Sequence, residues 1–92
     1  MTEAYQLAQN ALADLKTAVR HVLQGGPDDG MTNAEIGRTL GIYGGHVGHE
    51  GHISRTLLAF MESEGVVAQD AATKRWKIRV HHHTTEREAT EL

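Results

Sequence analysis

The sequence predicts a mainly α-helical domain closed by one small antiparallel β-hairpin. Three observations carry this prediction: an apolar stripe at helical spacing over residues 4–23, a capping pattern opening a short helix at 32–40, and a change of period from 3.6 to 2 after Gly65. With 92 residues, 39% of them hydrophobic and 23% charged, the chain has the composition of one soluble globular domain. It contains no Cys, which excludes disulfides, thiol nucleophiles and thiolate metal sites. No apolar run approaches the ~20 residues a membrane span needs. The N-terminus has no basic region leading into an apolar one, so a cytoplasmic location is expected.

The elements follow in order. Ala4, Ala8, Ala11, Leu15, Ala18 and Val22 recur at alternating steps of four and three, widened by Leu7, Leu12, Val19 and Leu23. They predict one long amphipathic helix with Thr2 as its N-cap. Gly25-Gly26-Pro27-Asp28-Asp29-Gly30 ends it, because Gly and Pro are the poorest helix formers. Thr32-Asn33-Ala34-Glu35 is a capping box, opening a helix over 33–40 that stops at Gly41. Residues 41–51 hold five of the ten glycines and read as a flexible connector. A third helix starts at His49 or His52 and runs to Glu64, with Ile53, Leu57, Phe60 and Met61 as its buried stripe and Gly65 as its stop. Val66-Val67-Ala68 then pairs across the turn Asp70–Thr73 with Lys74–Val80. In that second strand Trp76, Ile78 and Val80 face the helices and Arg75, Lys77 and Arg79 face outward. The domain spans 1–80, and 81–92 is a mobile polar tail without apolar periodicity.

Charge is distributed unevenly. The net charge is −3, which excludes a uniformly basic surface, yet residues 65–80 carry Lys74, Arg75, Lys77 and Arg79 against Asp70 alone. Long helix, short capped helix, third helix, basic hairpin: this order resembles the winged helix-turn-helix family, with the hairpin as the wing. Ala34-Glu35-Ile36-Gly37-Arg38-Thr39-Leu40-Gly41 carries the likeness, joined by Ile53, Leu57 and Leu58 and by Glu64-Gly65-Val66-Val67. Gly37 fits a place where two helices cross too closely for a side chain. The likeness covers roughly residues 10–80, and it departs from the simplest motifs in the length of the connector after Gly41.

The resemblance implies double-stranded DNA as partner, with the third helix in the major groove. A helical wheel sets Arg55 opposite the buried stripe, where its guanidinium would read guanine, with His52 and Ser54 flanking it. The alternative for Arg55 is a salt bridge to Glu50 or Glu62. Lys74, Arg75, Lys77 and Arg79 of the wing would meet phosphates; alternatively they keep a strand edge from pairing. The first helix carries a stripe wider than a three-helix domain needs, so a homodimer through Leu7, Ala8, Leu12, Leu15 and Val19 is expected.

Other chemistry is not expected. His46, His49, Glu50 and His52 sit in Gly-rich backbone that would not orient imidazoles, so no metal is assigned to them; His81-His82-His83 would bind metal only adventitiously. Gly44–Gly48 lacks the Lys-Ser/Thr ending of a phosphate loop. No nucleophile–base or paired-carboxylate arrangement emerges, so neither catalysis nor a cofactor is expected. The sequence therefore reads as a DNA-binding protein of the transcription-regulator type. The rival is a protein–protein assembly module of the same fold, supported by the net acidity and by Glu50, Glu62 and Glu64 around Arg55.

Overall fold

A computed structural model of the chain describes residues 2–45, 48 and 50–80. It contains three helices, α1 (Thr2–Gln24), α2 (Asn33–Leu40) and α3 (His52–Ser63), and two strands, β1 (Val67–Gln69) and β2 (Trp76–Ile78). The strands pair antiparallel, with Val67 opposite Ile78 and Gln69 opposite Trp76. This is the expected mainly helical class with one small hairpin, an arrangement compatible with a winged helix. The tail at 81–92, and with it His81-His82-His83, lies outside the described residues, as do His46 and His49.

Local chemistry sets most boundaries. Thr32 caps α2 by accepting the Glu35 amide at 3.2 Å, while Glu35 Oε1 accepts the Thr32 amide at 3.0 Å. Met31 and Ile36 flank this box one residue before the cap and four after it, and both belong to the core, as in a hydrophobic staple. Gly41 ends α2 with φ 74. Helix α3 begins at His52, the later of the two starts, behind Gly51. Thr2 lies inside α1 rather than capping it.

Met31 also does something the sequence pattern did not announce. Its amide and carbonyl exchange hydrogen bonds with Trp76, at 3.0 and 2.7 Å, adding a one-residue bridge to the free edge of β2. The hairpin is thereby tied to the segment entering α2. Gly30 makes this possible: its φ is +90, and a Cβ there would lie 2.5 Å from the Trp76 carbonyl oxygen.

The core consists of Val19 and Leu23 of α1, Met31, Ile36 of α2, Leu57, Leu58 and Met61 of α3, and Val67 and Trp76 of the hairpin. The stripe expected on α3 needs correction. Ile53 is 50% exposed and Phe60 45%, while Ser54 and Leu58 are fully buried. The helix is rolled about its axis relative to the expected wheel, because Gly37 draws α3 close at Ser54: a Cβ on Gly37 would sit 2.9 Å from Ser54 Oγ. Val80, expected on the packed face, is 69% exposed: β2 ends at Ile78, and the last hydrogen bond between the arms runs from the Arg79 amide to the Val66 carbonyl. Only the second half of α1 packs on the domain; residues 2–11 are all exposed.

Candidate nucleic-acid interface

The hairpin presents its charge through a tight turn. The Asp70 carboxylate accepts the amides of Ala72 and Thr73, at 3.1 and 2.8 Å. The Asp70 amide donates to the Arg75 carbonyl, and the Lys74 amide donates to the Asp70 carbonyl. Lys74 closes the loop in the left-handed region, φ 66, so it belongs to the turn rather than to the strand. The Thr73 amide and hydroxyl hold the Asp70 carboxyl below its ordinary pKa, helped by the Ala72 amide and the nearby charge of Lys77.

The four wing cations are not equivalent. Lys74, Lys77 and Arg79 are exposed, and their side chains make no hydrogen bond or ion pair among the described residues. Arg75 is withdrawn from this set. Its guanidinium donates to the Gly30 carbonyl at 2.8 Å and to Glu35 Oε1 at 3.2 Å, fastening the hairpin to the capping box of α2. Sequence alternation placed Arg75 beside Lys77 and Arg79; the Met31 bridge beside Trp76 gives it a carbonyl and a carboxylate to reach instead.

On α3, Arg55 and His52 are exposed as expected. Arg55 Nη2 donates to the Glu50 carbonyl at 3.4 Å, a long contact, and the two salt bridges among the described residues do not involve it. Ser54 is corrected: it is fully buried, its hydroxyl donating to the Gly51 carbonyl at 3.3 Å, and it cannot reach a base. The roll of α3 brings Thr56 and Ala59 onto the exposed face instead, positions the wheel did not single out.

The connector between α2 and α3 is better anchored than its glycines imply. The Ile42 amide donates to the Gly37 carbonyl at 2.8 Å and the Gly51 amide to the Gly44 carbonyl at 3.1 Å. Tyr43 fills the angle between the helices, and Arg38 stacks 4.6 Å from its ring centroid. Asn33 donates to the Gly51 carbonyl at 3.3 Å. An aromatic residue inside a Gly-rich stretch was the available signal for this anchor.

The expected dimer residues divide. Leu7 and Ala8 are exposed, Leu12 and Leu15 are half-buried, and Val19 is fully buried in its own core, so Val19 cannot serve an interface. Leu12 and Leu15 line an apolar groove of about 300 Å³ between α1 and α3, facing Ile53, Thr56 and Phe60. Lys16 closes one end of that face, 2.6 Å from Glu64 Oε2 and 5.7 Å from the Phe60 ring centroid. Among the described residues no three His, Asp or Glu side chains converge on a metal-sized site, and no helix is long and apolar enough to cross a membrane. No family model, curated protein or solved structure matches this chain.

Proposed function

We propose that this chain is a DNA-binding protein that grips duplex phosphates with Lys74, Lys77 and Arg79 while the face of α3 that carries Arg55, outside the groove lined by His52 and Thr56, lies toward the major groove. The carrying observation is the set of three exposed hairpin cations whose side chains make no hydrogen bond or salt bridge among the described residues. Their one acidic neighbour in the hairpin, Asp70, is turned inward onto the amides of its own loop. Cations arranged this way displace counterions when they meet phosphates, so affinity falls as salt rises. The footprint is small, three charges rather than four, and Glu62 of α3 with Glu50 and Glu64 at its two ends opposes it. Modest affinity for DNA follows from that balance.

The test is binding to random-sequence duplex across a salt series, with the wild type and the double variant Lys77→Glu, Arg79→Glu. Each phosphate contact contributes roughly 0.9 to the slope of log affinity against log salt. Removing two contacts should therefore lower the slope by about 2, and weaken binding to every duplex alike, because phosphates carry no sequence information. Absence of salt-dependent binding in the wild type, or an unchanged slope in the variant, would refute the reading and favour the protein-assembly module.

A further inference from the structure

The face of α1 that packs on the domain in its second half is bare in its first half. Val19 and Leu23 enter the core and Val22 packs against it; about two to five turns earlier on the same side stand Ala4, Tyr5, Ala8 and Ala11, all exposed. Tyr5 is 62% exposed, and Leu7 beside this stripe is 65% exposed. The stripe runs directly into the groove of Leu12, Leu15, Ile53 and Phe60. The first turns of α1, exposed at every residue from 2 to 11, have little packing to hold them, and short helices in water are marginal without it.

We propose that a second copy of this chain covers this surface, α1 against α1, antiparallel about a two-fold axis near Gln9 and Asn10. A two-fold interface needs a patch that complements itself, and this one does. The projecting half supplies a narrow ridge of small residues, and its root supplies a groove. At 1.5 Å rise per residue, the axis sets Ala8 of one copy level with Ala11 of the other, and Ala4 level with Leu15 at the groove. The alanines let the two backbones approach closely. The nearest acidic residues, Glu3 and Asp14, lie off the stripe on the helical wheel, so the two-fold brings no like charges together. The exposed parts of Tyr5 (62%), Leu7 (65%), Ile53 (50%) and Phe60 (45%), with the three exposed alanines, are of the same order as the ~800 Å² that a standard interface takes from each partner. Arg55 and the wing remain outside the contact, so this proposal does not depend on DNA binding.

Sedimentation equilibrium without DNA, over a micromolar concentration series, tests it. The wild type should reach twice the monomer mass. Ala8→Glu, at a site exposed in the single chain, should raise the dissociation constant at least tenfold while circular dichroism reports an unchanged fold. Ala13→Glu, on the far face of the same helix, should leave association unchanged. A monomer mass at every concentration overturns the proposal. So does a dimer that Ala8→Glu leaves intact, or one that both variants weaken equally.

Discussion

Arg75→Met separates a structural cation from a DNA-binding one. In the wild type the guanidinium makes two hydrogen bonds, to the buried Gly30 residue's carbonyl and to Glu35. A hydrogen bond involving a charged group contributes about 1.5–3 kcal/mol when well buried. Here the Arg75 and Glu35 side chains are 29% and 44% exposed, so solvent screens the ion pair to the few tenths typical of surface pairs. The bond to the Gly30 carbonyl carries most of the remainder. The expected loss is about 1–2 kcal/mol, or roughly 5–15 °C in Tm for a domain of this size. Met keeps the apolar stem, so the loss reports the head group. Urea unfolding followed by the fluorescence of Trp76, the single tryptophan and 7% exposed, reads it directly. The salt slope for random duplex should stay at the wild-type value under conditions where the variant is folded. Unchanged stability together with a shallower slope would refute the reasoning and return Arg75 to the phosphate-facing set.

Three further outcomes are expected. Ser54→Leu should destabilise by about 1–3 kcal/mol or more through overpacking against Gly37 and Tyr43; a normally stable variant with altered base preference would contradict the burial of this residue. Gly30→Ala should cost at least about 2 kcal/mol, because a positive φ and a Cβ 2.5 Å from the Trp76 carbonyl oxygen compound each other; the denaturation midpoint checks this, and loss of the Met31–Trp76 bridge should appear as faster amide exchange at both residues. Asp70 has a depressed folded pKa, so its support of the turn is complete above its ordinary value near 3.8 and is lost as pH falls through the lower folded value. The Ala72 and Thr73 amide resonances should shift through that acidic window in the wild type and not in Asp70→Asn.

Element order and boundaries were legible in the sequence because the forces that set them are local. The Thr32–Glu35 box, the stops at Gly41 and Gly65 and the period change into the hairpin involve neighbours within a few residues; the caps were found where the pattern placed them, while the strands are Val67–Gln69 and Trp76–Ile78 rather than Val66–Ala68 and Lys74–Val80. Gly37 was legible too, since a glycine amid helix formers has to be explained by a close approach. The unseen hydrophobic staple of Met31 and Ile36 was equally local, and could have been read from the same spacing rule.

What faces what was decided only by tertiary structure. Ile53, Leu57, Leu58, Phe60 and Met61 cover too much of α3 for a wheel to choose which of them are buried. The choice fell to the contact between Gly37 and Ser54, residues far apart in the chain, which rolls Ser54 and Leu58 inward and leaves Ile53 and Phe60 at the groove. Arg75 could not be separated from Lys77 and Arg79 by alternation, because its partners, Gly30 and Glu35, reach it only through the bridge between Met31 and Trp76. Likewise the stripe of α1 is continuous in sequence, and only the extent of the domain behind it determines where packing ends and a bare face begins. Short-range hydrogen bonding and helical periodicity write themselves into a sequence; the pairing of distant surfaces is settled by which of several similar apolar faces the whole chain can bury at once.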